Sequence, residues 1–426
     1  MTNRDIVERL RDLIKEIEKK EKFSSASADE GTLGLPVSQV SYKERPPSVG
    51  RGNVSDKYPA SEMDVETYDG FSVYTSCYDM GCLPWFFPVE SEVVRFLVGY
   101  EPMVTTGNSD KILFLDIETT GLLGSGTLSF LTGFGRWKNS QFEVVQYFLA
   151  DREKERLMLQ HIARLVKKDT VLVTFNGNSF DIPVLNSRFI LNGLSPETSG
   201  GGISAHIDLF SIVRKFGKHP IYGLSLKESV TRFIGATRSD DIPGHLIPAL
   251  YFIYEQDRDI TILEQVFAHN SMDILDMVGL LRILGEVCLR GPDICDDPFT
   301  LAGVGKFHLQ KGDVDRARQY MQASYDGFDR KGIRGKAGYT NMRRLASVMR
   351  KEGNWDEASS IWDGLIREGQ GIPEDYLWLA RYYEVVSHDI AKALDVVQDA
   401  VAFCQNLQKP IPRSVLSRKR RLEKLQ

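Results

Sequence analysis

Residues Lys111–Gly121, KILFLDIETTG, set the reading of this chain. Ile112 to Leu115 form an unbroken apolar run, the pattern of a strand covered on both faces. The run ends in two acids, Asp116 and Glu118. Side chains two apart on a strand share a face, so both carboxylates leave its C-terminal end together. Like charges so placed repel and resist burial, and a divalent cation between them would reverse that cost. A solvated strand end would carry the same pair. The two readings part only if further acids reach this place from later in the chain.

Downstream, Thr127–Trp137 and Gln141–Leu149 read as strands joined by a turn at Asn139-Ser140. Glu153–Lys168 repeats Leu157, His161, Ile162 and Leu165 at helical period, and Thr170–Phe175 (TVLVTF) is again a buried strand. This order predicts an α/β layer around one mixed sheet. The fourth strand leads into Asn176-Gly177-Asn178-Ser179-Phe180-Asp181, followed by Ile182-Pro183 and a helix. Asp181 has the place of an N-cap ahead of an early proline. It equally has the place where an open α/β sheet builds its site, beside a strand's C-terminal end. His206–Leu209 predicts a fifth strand, with Asp208 in a structural role. Leu224–Gly235 and Pro243–Gln256 predict helices, and Glu197–Ser204, with three successive glycines, a flexible loop.

The last acid of interest lies in Ala268-His269-Asn270-Ser271-Met272-Asp273, ahead of Met277, Leu280, Leu281 and Leu284. Asn270 and Asp273 are spaced like an N-cap and the acid at the third position of the helix it starts. Alternatively one helix includes both His269 and Asp273; four residues apart, they would then share a face, a general base beside a metal ligand.

Together, DIETTG, NGNSFD and HNSMD resemble the three motifs of the DEDD exonucleases, in order and spacing, within a ribonuclease H-like fold. With a C-terminal helical-repeat region, the combination resembles the YprB-like branch of that superfamily. The resemblance covers about 109–290. It implies that Asp116, Glu118, Asp181 and Asp273 hold two divalent ions, with His269 the candidate general base beside Asp273. It also implies 3′-to-5′ polarity on single-stranded DNA or RNA. Thr119, Asn176 and Phe180, within the same motifs, are candidate substrate contacts. Hard oxygen ligands suit Mg²⁺ or Mn²⁺, and two such ions can serve both ends of a phosphodiester displacement. The chain departs from the family in one respect: His269 stands at the spacing of the Tyr form (YxxxD), not of the His form (HxxxxD).

The rest of the 426 residues bounds this reading. No apolar run approaches the roughly 20 residues of a membrane span, the N-terminus lacks a signal-peptide core, and five scattered cysteines make no disulfide framework. Cys77 and Cys82 could supply two zinc ligands but have no second pair nearby, and read as packed thiols. A cytoplasmic setting with no membrane is expected. Of the net charge of -5, residues 300–426 hold +6 and residues 1–299 hold -11, a division that suits an enzyme acting on a polyanion or is ordinary surface variation. An amphipathic helix is predicted over Arg4–Lys20 and a linker to about 60, so the expected domains are 1–60, a β-containing extension at 61–108, the catalytic domain at 109–292, and helical repeats at 293–426. The repeats align Gly312-Asp313, Gly353-Asn354 and His388-Asp389, with Ala317, Ala358 and Ala393 following and Gly305, Ala346 and Ala380 where paired helices would cross. They resemble degenerate tetratricopeptide repeats, which hold a protein partner; the basic run from Arg330 to Lys351 leaves nucleic acid as another ligand. Two other functions compete with the exonuclease: a non-hydrolytic adaptor that binds nucleic acid and recruits a protein, and an endonuclease cutting RNA in hybrids. The complete set of acids speaks against the first, and the motif order against the second.

Overall fold

The computed structural model describes residues 60, 62–79, 90–98, 111–121, 126–196, 203–217, 219–238, 241–333 and 335–425. The helix predicted at 4–20, the linker after it and Cys82 lie outside these residues. The described chain divides into two compact units. The first runs to Arg214 and resumes over Pro220–Leu289; the second joins Lys215–His219 to Arg290–Gln426.

The first unit is built on a seven-stranded mixed sheet: β1 (Glu62–Thr67), β2 (Phe71–Asp79), β3 (Ile112–Thr119), β4 (Ser129–Lys138), β5 (Gln141–Leu149), β6 (Thr170–Thr174) and β7 (Ile203–Asp208), in spatial order β1-β2-β5-β4-β3-β6-β7. β3 pairs parallel with β6, and β6 with β7; the other pairs are antiparallel. The segment read as a small extension thus supplies two strands of the main sheet. Asn139 and Ser140 both adopt left-handed backbone (φ 49° and 68°) between paired Lys138 and Gln141. That is the two-residue turn whose twist suits a hairpin, and Asn is among the residues that tolerate it. Around the sheet lie α1 (Ser91–Val98), α2 (Glu155–Leu165), α3 (Asp181–Leu191), α4 (Leu209–Phe216, whose last two residues fall in the second unit), α5 (Leu226–Phe233), α6 (Ile247–Asp257) and α7 (Glu264–Leu289). This is a ribonuclease H-like fold.

The run that opened the sequence forms β3 as expected. Leu113, Leu115 and Ile117 enter a core shared with Phe130, Phe148, Leu185 and Tyr251, while Ile112 and Phe114 are buried on the opposite face. A strand covered on both sides is rigid, and that rigidity fixes the direction of the two acids at its end. Beside it, β4 carries Gly133 directly opposite Asp116, and Gly133 pairs in turn with Gln146 of β5. A Cβ at Gly133 would lie 2.1 Å from Oδ1 of Asn270 and 2.7 Å from Cδ1 of Ile274. Only glycine lets α7 come this close to the sheet.

Two readings left open by the sequence are separated here. α7 begins at Glu264, after a short 3₁₀ turn at Ile260–Leu263, so Asn270 and Asp273 lie inside the helix and form no cap. Asp181 is the first residue of α3 rather than its cap: Phe180 precedes it without a capping bond, and the Asp181 side chain is turned to β3.

The second unit is all helical: α8 (Pro298–Gln310), α9 (Val314–Arg330), α10 (Lys336–Lys351), α11 (Trp355–Arg367), α12 (Pro373–Val385), α13 (Ile390–Asn406) and α14 (Arg413–Leu422). The three aligned turns share one geometry. Gly312, Gly353 and His388 are each left-handed (φ 82°, 90° and 52°), and each precedes the N-cap of the next helix. Ala317, Ala358 and Ala393 are fully buried. At Gly305 a Cβ would meet the Ala317 carbonyl at 3.1 Å, so small residues do sit where paired helices cross. The basic run is partly spent inside this unit: Arg343 binds buried Asp375, and Lys331 reaches Asp296. Arg350 lies 4.0 Å from the Trp378 ring centre. Among the described residues no helix is long and apolar enough to cross a membrane.

Candidate active site

The acids from three sequence segments meet at the C-terminal end of β3. Oδ1 of Asp181 accepts a hydrogen bond from the Ile117 backbone N–H at 3.2 Å, which places it against the peptide between Asp116 and Glu118. Asp116 accepts from Asn270 of α7, whose Nδ2 donates to Oδ2 at 2.7 Å and to the Asp116 carbonyl at 3.1 Å. Gln146 completes the row, its Nε2 donating to Asn270 Oδ1 at 2.8 Å. One helix turn places His269 and Asp273 on the same face. The His269 Nε2 lies 3.6 Å from Oδ2 of Asp273 and 3.9 Å from Oε1 of Glu118.

The electrostatics follow from crowding anions in a shielded place. Burial, then the charges of Asp273, Glu118 and Asp181, drives the Asp116 carboxyl well above the ordinary range. Burial likewise lifts Glu118 to about 8; His269 opposes the rise, and Asp273 and Asp181 add to it. Asp181 is pushed by burial to about 7 against the pull of its backbone hydrogen bonds. His269 moves the other way for its type: burial disfavours its charge, but the bond to Asp241 and the charges of Asp273 and Glu118 raise it to about 9.

A layer that sequence reasoning missed backs this cluster. Arg238, with a side chain only 7% exposed, reaches Asp273 Oδ1 at 2.5 Å, Asp241 Oδ2 at 3.3 Å and Asp276 Oδ2 at 2.9 Å. Burial works against its charge, and the three carboxylates more than restore it. Asp241 in turn accepts from His269 Nδ1 at 2.5 Å. Arg238 lies 35 and 38 residues from Asp273 and Asp276, and Asp241 lies 28 from His269, on a stretch without periodicity, so no local signal marked them.

Of the predicted substrate contacts, Thr119 has a local side-chain partner and Asn176 is held through its backbone. The Thr119 hydroxyl donates to the Gly121 carbonyl at 2.7 Å, and the Asn176 N–H to Asp208 Oδ1 at 2.9 Å. Asp208 also accepts from Phe210 N–H at 3.1 Å, and so anchors the loop between β6 and α3. Phe180 packs partly buried against the core.

No group of three or more His, Cys, Asp or Glu among the described residues is ready-made for a metal ion. Asp273 has one oxygen committed to Arg238, and Asp116 one to Asn270. The donor chemistry nevertheless fits a hard dication. Asp116, Glu118 and Asp181 are all-oxygen donors whose ionised forms burial and mutual repulsion disfavour, and an ion of charge two would reverse that penalty.

The fold is a seven-stranded mixed sheet with acids gathered at the end of a central strand. Comparison with known proteins agrees: residues 113–284 match the RNase H superfamily. The chain is similar to the YprB protein of Bacillus subtilis (strain 168), 27% identical over 304 residues that span 69% of this chain and 70% of that one. A shorter stretch is similar to DNA polymerase 1 of Sulfolobus acidocaldarius, 30% identical over 166 residues, 34% of this chain and 19% of the polymerase. Among solved structures, the family B DNA polymerase of Pyrobaculum calidifontis aligns over 54% of this chain and 30% of its own, at 18% identity and a TM-score of 0.35. The superfamily domain and the YprB likeness support an RNase H-like nuclease family, members of which generally use divalent metals and bind nucleic acid.

Proposed function

We propose that this protein is a metal-dependent 3′-to-5′ exonuclease of the DEDD type acting on single-stranded DNA or RNA. One observation carries the reading: Asp116, Glu118, Asp181 and Asp273, drawn from three separate segments, converge with His269 at the end of one buried strand. A binding module has no use for anions crowded where a phosphate must come. Two Mg²⁺ or Mn²⁺ ions held by these four carboxylates would activate the attacking water and neutralise the leaving oxygen. With the acids neutralised by the ions, His269 would lose the charges that hold it protonated, and its Nε2, which faces Glu118 and Asp273, could then take the water's proton. The helical unit, read as tetratricopeptide-like, would hold a protein partner.

The test is degradation of end-labelled single-stranded DNA, RNA and duplexes with Mn²⁺, Mg²⁺ or EDTA. Stepwise loss from a free 3′ end, blocked by a 3′ cap and by EDTA, is expected. Internal cuts, or full activity in Asp116→Asn, would overturn the reading.

A further inference from the structure

The proposed base does not stand alone. Its Nδ1 donates to Asp241 Oδ1 at 2.5 Å, while Nε2 is left facing Glu118 and Asp273. The other oxygen of Asp241 is held by Arg238 Nη1 at 3.3 Å. The same nitrogen grips Asp273 at 2.5 Å, and the rest of the guanidinium grips Asp276. Arg238 is thus a buried bracket with one arm on the group that orients the imidazole and one on an acid of the site. Nothing in the three sequence motifs includes Arg238 or Asp241.

We propose that Asp241 is the positioning residue of His269 and that Arg238 holds Asp241 and Asp273 in register; this rests on the exonuclease reading for its catalytic consequence. The chemistry is that of a carboxylate fixing an imidazole. A ring nitrogen that donates to a carboxylate is kept protonated and cannot rotate, so the opposite nitrogen stays aimed at the reacting water. The arrangement also bears on the unusual spacing of this chain. His269 stands where a Tyr is otherwise found, four residues before Asp273, and a shorter side chain in that register needs its direction imposed from outside the helix. Asp241 imposes it. Arg238 keeps Asp241 and Asp273 at a set separation despite their repulsion, since one guanidinium nitrogen bonds both.

The experiment uses the full chain with Asp241→Asn, His269→Ala and the double variant. The expected result is a fall of about 10²-fold in kcat for Asp241→Asn with KM and melting temperature little changed. The loss should vanish in the His269→Ala background, because a residue that acts only through another costs nothing once that other is gone. Asp241→Glu should recover part of the rate. Independent of any activity, the His269 Nδ1–H resonance in ¹⁵N-histidine-labelled protein should be far downfield and slow to exchange, and should move in Asp241→Asn. Additive losses in the double variant, or an unmoved resonance, would overturn the proposal. A wild-type protein inert on every substrate would overturn the exonuclease reading instead, and the resonance would still decide whether Asp241 fixes the ring.

Discussion

The cost of holding anions together in the metal-free protein can be exposed at Glu118. Its side chain is only 13% exposed and its carboxyl is raised from an ordinary 4.5 to about 8. The sign is as follows. The folded state retains a proton that the unfolded state releases, so the penalty is nearly absent below pH 4.5, grows as pH rises, and is complete above about pH 8. A carboxyl so displaced costs the ionised folded state about 5 kcal/mol as an upper bound. Relaxation around the cleft and the lost attraction of His269 reduce the net gain from removing it to about 1–3 kcal/mol. His269, raised to about 9, adds to the same trend: its favourable charge is fully present below about 6.5 and lost as pH rises through 9. Metal-free wild type should therefore lose stability between pH 5 and pH 9. Glu118→Gln in EDTA should match wild type near pH 5 and exceed it at pH 8.5. The assay is urea unfolding across that range, with and without Mn²⁺. Mn²⁺ should reverse the order, stabilising wild type by about 2.7 kcal/mol at a hundredfold excess over its dissociation constant and the variant less. A wild-type stability that is flat or rising with pH in EDTA would refute the reasoning, as would equal Mn²⁺ stabilisation of both proteins.

Three further outcomes are expected. Gly133→Ala, whose Cβ would lie 2.1 Å from Asn270 Oδ1, should lower stability by about 1–3 kcal/mol and also slow hydrolysis, because Asn270 holds Asp116; urea midpoints and initial rates measure the two effects together. His269→Ala should cost roughly 10²–10⁴ in single-turnover rate with metal-induced stabilisation little changed, and His269→Tyr should recover part of the loss. Gly303→Ala would put a Cβ 1.9 Å from the Phe216 carbonyl within the helical unit, so its melting transition should fall by several degrees, whereas an unchanged transition would show that Lys215–His219 does not need to pack there.

How much of this was legible in the sequence depends on how far each residue's partners lie along the chain. β3 could be read because one strand's pattern, an apolar run and then two acids on one face, is complete within eight residues. The three left-handed turns of the helical unit were legible for the same reason, as each turn, its cap and the following buried alanine lie within six residues. Asp181 could be placed but not decided: a helix cap and a site acid look alike at a loop-to-helix junction, and only its bond to Ile117, 64 residues away, separates them. Asn270 and Asp273 could be placed but not decided either, because their spacing imitates a cap while the helix start is set six residues earlier by the turn at Ile260–Leu263. Gly133 gave no warning, since the reason for a glycine there is a side chain on a helix more than a hundred residues later. Arg238 and Asp241 were silent altogether. Arg238 offsets acids that come together only on folding, and Asp241 meets His269 only then. The four acids stood out because their order and spacing resemble the family's motifs. The residues that make it tolerable for them to stay together carry no such order, because any cation or amide brought near by the fold would serve.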